Sequence, residues 1–172
     1  MKDIARQELS IHIEVMDMLN DQIQKEAQSS TAYLAMASWC DQQGLENSAQ
    51  FFYAQAEEER THMMKIFRFI NDNGGNAMAP ATSAANHDFT SLEEVFSDAL
   101  AHEVGVTKSI HKLVAKSRAE HDYATDAFLQ WFVTEQMEEE QTMRRALDIL
   151  KLGEKMSLLQ LDERIAELNT AQ

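Results

Sequence analysis

The sequence predicts an all-α fold, a bundle of four long helices with one long crossover and a short fifth helix at the C-terminus. Two observations carry this expectation. Five glycines and one proline in 172 residues leave little to interrupt regular structure, and ten methionines with abundant Ala, Leu, Glu and Gln favour helix over strand. Apolar residues then recur at helical spacing through four long stretches. The length fits one domain over residues 1–172.

The first helix is expected from about Leu9 to Gln43, with Leu19, Ile23, Glu26, Ser30, Tyr33 and Ala37 on one stripe and Gly44 placed to end it. Only Glu26 breaks that stripe. The second covers roughly Asn47 to Asn73, aligns Phe52, Gln55, Glu59, His62, Ile66 and Phe69, and stops at Gly74-Gly75. The short turn at Gly44 makes the two an antiparallel hairpin.

Residues 74–91 are unpatterned and hold the sole proline, Pro80. A helix of about 26 residues is roughly 39 Å long, and a linker of about 17 residues reaches roughly 55 Å. The segment is therefore long enough to return along the whole bundle and start the third helix from the same end as the second.

A capping-box pattern, Thr90 or Ser91 with Glu93 or Glu94, opens a third helix over 91–120 that aligns Phe96, Leu100, Glu103, Val106, Ile110 and Leu113. A polar turn at Glu120-His121-Asp122 leads to the fourth, over 122–152, whose inward face reads Phe128, Phe132, Gln136, Glu139, Met143, Leu147 and Leu150. Gly153 closes it. Ser157 and Gln160 form a second capping box, with Met156 and Leu161 as a hydrophobic staple, for a fifth helix over 157–168. A helix this short is unstable alone, so it must dock on the bundle or on another subunit.

The formal charge of −14 argues against a nucleic-acid partner, which requires a basic stripe. No apolar run approaches a membrane span and the N-terminus lacks a basic-then-apolar signal. A single cysteine, Cys40, fits a reducing compartment and packs as a small hydrophobe. A soluble cytoplasmic protein is the expectation.

Each long helix thus carries a glutamate on its otherwise apolar face: Glu26, Glu59, Glu103 and Glu139. Buried carboxylates are costly unless protonated, paired or coordinated. Two of them have partners three residues away, Glu59 with His62 and Gln136 with Glu139, the spacing that faces one point on a helix. Four negative charges would balance two divalent cations, and His62 would add one nitrogen ligand. This oxygen-rich set suits iron or manganese. Glu58, Glu135 and Glu138 lie beside these positions and could form a neighbouring third site, or a solvated acidic face. Tyr33, two turns after Glu26, and Trp131 could serve the site or simply pack. His12, His87, His102, His111 and His121 show no ligand spacing and read as surface or cap residues.

These residues resemble the ferritin family, most closely the bacterial non-haem ferritins. The resemblance rests on Glu26 followed by Tyr33, on Glu58-Glu59-Arg60-Thr61-His62, on His102-Glu103, and on Phe128-Leu129-Gln130-Trp131 leading to Glu135-Gln136-Met137-Glu138-Glu139-Glu140. It covers nearly the whole chain and implies a ferritin-like bundle. It also implies a ferroxidase centre holding two irons: Glu26, Glu59 and His62 at the first, with Glu59 bridging; Glu103 at the second; Gln136 nearby; Glu139 from the fourth helix; and Tyr33 beside the centre. A third iron would use Glu58, Glu135, Glu138 and Glu139.

Haem is not expected, because Arg60 stands where haem-binding relatives place methionine. Asp126 falls where related shells line their threefold channels, and Leu129 stands where many place an acidic residue. The implied assembly is a homo-oligomeric shell of 24 subunits with the fifth helix near the fourfold axes. The implied activity is oxidation of Fe(II) by dioxygen or hydrogen peroxide and storage of ferric oxyhydroxide inside the shell. Two rival readings remain at this point: a small di-iron oxygen-activating enzyme that stores nothing, and a metal-free bundle acting through protein contacts.

Overall fold

The computed structural model describes residues 9–168; the remaining residues of the expected 1–172 unit lie outside them. The chain forms α1 (Ile13–Gln42), α2 (Glu46–Asp72), α3 (Leu92–Ala119), α4 (Tyr123–Leu152) and α5 (Leu158–Ile165), and a final 3-10 turn covers Ala166–Leu168. No strand occurs among the described residues, and no described helix is long and apolar enough to cross a membrane.

The first helix begins at Ile13, not Leu9. The preceding residues are held across the end of the bundle instead. Ser10 N–H donates to the Asn73 carbonyl at 3.2 Å and His12 N–H donates to Asp122 Oδ2 at 3.0 Å, while Ile11 is buried in the core. Those amides are committed to other elements, so the helix starts after them.

Three helices end alike. Gly44, Gly74 and His121 adopt the left-handed backbone, at φ 73°, 80° and 56°. The next residue's N–H then returns to a carbonyl in the last turn: Leu45 to Cys40 at 3.0 Å, Gly75 to Ile70 at 2.9 Å and Asp122 to Ser117 at 2.8 Å. His121 occupies a position that normally favours glycine. Asp122 immediately becomes the N-cap of α4, accepting the Thr125 N–H at 3.0 Å and the Thr125 hydroxyl at 2.8 Å.

Residues 75–91 run along α1 in the same direction. Asn20 Oδ1 accepts the Met78 N–H at 2.8 Å, Gln28 Oε1 accepts the Ser83 N–H at 2.8 Å, and Trp39 Nε1–H donates to the Phe89 carbonyl at 3.0 Å. From Asn20 to Trp39 is about 28 Å of helix, so side chains of α1 pin the crossover along most of the bundle. α3 therefore lies antiparallel to α1, with Gln22 facing Ser109 and Ser29 facing His102. Ser91 caps its start by accepting the Glu94 N–H at 3.1 Å, while the Glu94 carboxylate accepts the Thr90 N–H at 2.6 Å. The capping box is thus shared between Thr90 and Ser91.

The capping box of α5 forms at Ser157 and Gln160 as expected. Gly153 packs so closely against Leu161 and the Ile149 carbonyl that a side chain there would collide. This lets α5 fold back on its own bundle, where Ile165 and Leu168 join the core. The decisive contact is Asp162, 1 % exposed. Its carboxylate accepts the N–H groups of Asn47 (3.0 Å) and Ser48 (2.8 Å), the Asn47 amide (3.0 Å) and the Ser48 hydroxyl (2.6 Å). Helix α2 has no side-chain cap of its own at Leu45. Asp162 supplies that cap from the far end of the sequence, with the negative charge that a helix N-terminus favours.

The apolar core divides in two. One cluster gathers Tyr33, Phe52, Phe96, Met143 and Leu150 with α5; the other gathers Leu19, Ile23, Ile66, Ile110, Leu129 and Phe132. Between them, on all four long helices, lies a polar layer.

Asp162→Ala should leave the first turn of α2 without its acceptor and destabilise the protein by about 3 kcal/mol. A thermal midpoint equal to the parent's would mean that α5 is held by Ile165 and Leu168 alone.

Candidate metal centre

The polar layer is built one helix at a time. Glu26 follows Ile23 by three residues on α1, Glu59 and His62 precede Ile66 on α2, Glu103 precedes Val106 on α3, and Gln136 and Glu139 follow Phe132 on α4. Each therefore shares the inward stripe with its apolar neighbours and is carried into the bundle with them. Glu26 and Glu59 are 1 % exposed, Glu103 is 0 % and Glu139 is 3 %. They do not reach solvent at the edges of their helices.

Glu26, Glu59 and His62 each offer a ligand atom within 4.8 Å of the others. His62 Nδ1 is 3.8 Å from Glu59 Oε1, beyond a hydrogen bond but suited to two donors facing one cation. Glu103 enters from α3 with both oxygens engaged: Oε1 accepts the Tyr33 hydroxyl and Oε2 accepts Gln136 Nε2–H at 2.9 Å. Glu26 Oε2, both oxygens of Glu59, His62 Nδ1 and Glu139 Oε2 are buried with no hydrogen-bond partner among the described residues. Four carboxylate oxygens and one imidazole nitrogen, left without protein donors, fit the preference of iron or manganese for oxygen and imidazole ligands.

A second group adjoins the first. Glu58, His62, Glu135 and Glu139 also bring ligand atoms within 4.8 Å of one another, with His62 Nε2 3.9 Å from Glu135 Oε1. His62 belongs to both groups through its two nitrogens. Glu138, expected in this set, is exposed and stands outside the grouped ligand atoms, although it lines the same pocket of about 540 Å³ with Glu58, Glu135 and Glu139. It follows Met137 on the side of α4 turned to solvent.

Burial dominates the electrostatics. It raises the Glu59 carboxyl well above the ordinary range, with Glu26 and Glu103 adding like charge, and raises Glu26 as well. It lifts Glu139 to about 9. Burial raises Glu103 too, to about 7, with the Tyr33 and Gln136 hydrogen bonds opposing the rise by favouring its ionised form. Burial and the nearby Lys65 cation lower His62 to about 4. Its imidazole is neutral at pH 7 and has a lone pair to offer.

Around this layer, Tyr33 is fully buried and bound to Glu103, and Trp131 packs edge-on against His62 at 5.3 Å while Lys65 Nζ lies 3.8 Å from the Trp131 ring centroid. His102, read from sequence as a surface residue, is half-buried. Its Nε2 is 2.7 Å from Ser29 Oγ and its ring lies 6.1 Å from that of Tyr33. Two buried amides were not singled out as site residues: Gln22, which donates to Glu26 Oε1 at 2.9 Å, and Gln55, which donates to Glu58 Oε2 at 3.0 Å. Their signal was present in the spacing, since each stands four residues before a layer glutamate. Asp126 does not offer a free carboxylate, because Arg118 Nε holds both oxygens at 3.2 and 3.1 Å; Leu129 is fully buried in the second core cluster.

Comparison with known proteins gives a consistent answer. The Ferritin-like domain family matches residues 16–153. A probable bacterial non-heme ferritin-like protein of Haemophilus influenzae is 42% identical over 158 residues, 91% of this chain and 96% of that protein. The bacterial non-heme ferritin of Staphylococcus aureus is 41% identical over 151 residues, 87% of this chain and 91% of its own length. Among solved structures, an open pore ferritin from the archaeon Archaeoglobus fulgidus superposes with a TM-score of 0.88 at 37% identity, covering 91% of this chain and 97% of that one.

The charge balance has a sign that can be checked. Glu103 and Glu139, at about 7 and about 9 when folded against an ordinary 4.5, bind more protons folded than unfolded, so their effect lowers stability as pH rises toward 9. His62 acts oppositely, but only between about 4 and its ordinary 6.5. Metal-free protein should therefore lose about 5–10 °C of thermal midpoint between pH 6.5 and 9. Bound divalent cation should flatten that slope and release protons at pH 7, measurable by calorimetry in two buffers. A metal-free midpoint constant across the window would sink this account of the layer.

Proposed function

Since the chain belongs to the ferritin family, we propose that it stores iron, oxidising Fe(II) at the polar layer and depositing ferric oxyhydroxide inside a shell of 24 copies. The observation that carries this reading is the set of buried, unpartnered donor atoms on Glu26, Glu59, His62 and Glu139. Ferrous iron is substrate here. Glu26, Glu59 and His62 hold one ion, Glu103 holds the second, and Glu59 bridges them; Gln136 steadies Glu103, and Glu139 stands between the pair and the outer group. Two ferrous ions each give one electron to dioxygen, which takes two protons and leaves as hydrogen peroxide; peroxide can in turn accept two electrons.

The chain's own contribution is orientation and charge. Four ionised carboxylates neutralise two divalent ions but leave two ferric ions in positive excess, which hydroxide drawn from water offsets, with release of protons, as the oxidised product moves on toward the mineral. The adjoining group of Glu58, Glu135 and Glu139, with Glu138 at its rim, offers further carboxylates on that path. Tyr33 keeps Glu103 aligned by donating its hydroxyl to one carboxylate oxygen. The family resemblance supports self-assembly, and the shell of 24 and a cytoplasmic location are part of the same proposal.

Ferrous iron added aerobically in excess to metal-free protein should co-elute on a sizing column as a large particle carrying far more iron than its ligand sets hold. Iron confined to those sets on a small species would make the protein a di-iron enzyme instead. Glu59→Ala or His62→Ala should slow initial oxidation by more than about 100-fold while leaving the particle assembled; unchanged initial rates would remove the assigned centre. Glu135→Ala, adjoining His62, should shift the iron-to-oxygen ratio more than Glu138→Ala, and equal ratios in both variants and the parent would remove the third site.

A further inference from the structure

The geometry points to Gln22 as the residue that sets which oxygen of Glu26 faces the metal, working through a directed chain of hydrogen bonds from Lys25 by way of Ser109. This rests on the iron-binding reading above. Gln22 is fully buried although it is polar, and it sits one turn before Glu26 on the inward side of α1. Its Nε2–H donates to Glu26 Oε1 at 2.9 Å. Its Oε1 accepts the Ser109 hydroxyl, from α3, at 2.6 Å. Ser109 Oγ in turn accepts from Lys25 Nζ at 2.5 Å.

The direction of this chain follows from its first member. A lysine ammonium only donates. Ser109 therefore receives from Lys25 and has one proton to give, which goes to the Gln22 carbonyl oxygen. That leaves the Gln22 amide nitrogen facing Glu26. With Glu26 ionised, as a metal ligand must be, a flipped amide would set its oxygen against a carboxylate oxygen, two acceptors in contact with no proton between them. Only one orientation satisfies all four groups.

The consequence lies at Glu26. One oxygen, Oε1, is held by Gln22, and the other, Oε2, is buried without a partner and belongs to the donor set. The carboxylate is thus fixed to present a single oxygen to the first metal position. An amide does this without adding charge, so Glu26 keeps its full negative charge for the ion. An arginine or lysine in the same place would orient the carboxylate and also neutralise it. Gln22 is in this sense a positioning residue.

The test uses the full-length, metal-free protein and Co²⁺, whose visible absorption reports the ligands around it. Gln22→Leu should weaken the tightest Co²⁺ by about 10- to 100-fold and change the shape of its absorption; the metal-free thermal midpoint also falls, because Ser109 loses its acceptor and Glu26 its donor. Ser109→Ala should move affinity and spectrum the same way by a smaller factor, and Ser109→Thr, which keeps the hydroxyl, should restore both. Parental affinity and spectrum in Gln22→Leu would overturn the assignment. Should Gln22→Leu fail to assemble, Ser109→Ala decides alone, and parental Co²⁺ behaviour in that variant would overturn it equally. A parent protein that takes up no Co²⁺ would reject the metal reading itself.

Discussion

Four carboxyl groups placed midway along a helical bundle are the costliest burial in this chain, and the rest of the architecture is arranged around them. They split the core into two apolar clusters, so each half must close its own end. At one end Asp122 ties α3, α4 and the segment before α1 together; at the other Asp162 ties α5 to α2. These two buried aspartates contrast with the layer glutamates. Every oxygen of Asp122 and Asp162 accepts from backbone or hydroxyl donors, whereas Glu59 and Glu139 have oxygens with no donor aimed at them. The same chemical group is structural in those aspartates and, at Glu59 and Glu139, a candidate ligand with lone pairs left open; Glu103, with Tyr33 on one oxygen and Gln136 on the other, falls between the two.

The groups that do touch the layer are chosen to orient without neutralising. Gln22, Gln55 and Gln136 donate to Glu26, Glu58 and Glu103, and Tyr33 donates to Glu103. All four are neutral. Two cations nearby are held off the donor atoms: Lys25 is joined to Glu26 by hydrogen bonds that pass through Ser109 and Gln22, though its charge still favours the ionised Glu26, and Lys65 rests on the face of Trp131. Lys65 still helps keep His62 unprotonated. When these carboxyls ionise around a cation, their negative potential is concentrated where the donor atoms meet, in a setting of low dielectric that strengthens it.

Helix positions and the four layer glutamates were legible because both depend on local periodicity, and the capping box at Ser157 depends on residues three apart. Features set by distant contacts were not. The start of α1 at Ile13 depends on Asn73 and Asp122, and the docking of α5 depends on Asp162 meeting Asn47 and Ser48; nothing in either local segment announces such a partner. His102 looked like a surface residue because its partner Ser29 lies on another helix. Glu138 looked equivalent to Glu135 because both flank the inward positions Gln136 and Glu139, and helical spacing marks the inward position without fixing how far each neighbour turns to solvent. Gln22 could have been found, since a polar residue four before an inward glutamate shares its face, and a buried amide beside a carboxylate has a physical task to perform.

His62 links the two acidic groups in a way that follows from imidazole chemistry alone. Its Nδ1 lies beside Glu59 and its Nε2 beside Glu135, and a neutral imidazole has one proton and one lone pair to divide between them. A cation on Nδ1 commits the lone pair there and places the proton on Nε2, where it faces Glu135. A cation on Nε2 reverses the assignment and turns Nδ1 into a donor toward Glu59. The two groups therefore compete for the single lone pair of His62, and the inner group, with Glu26 and Glu59 fully buried beside it, has the stronger claim. The outer group is left to rely on Glu58, Glu135 and Glu139, a purely carboxylate set that binds a hard ion without holding it as firmly.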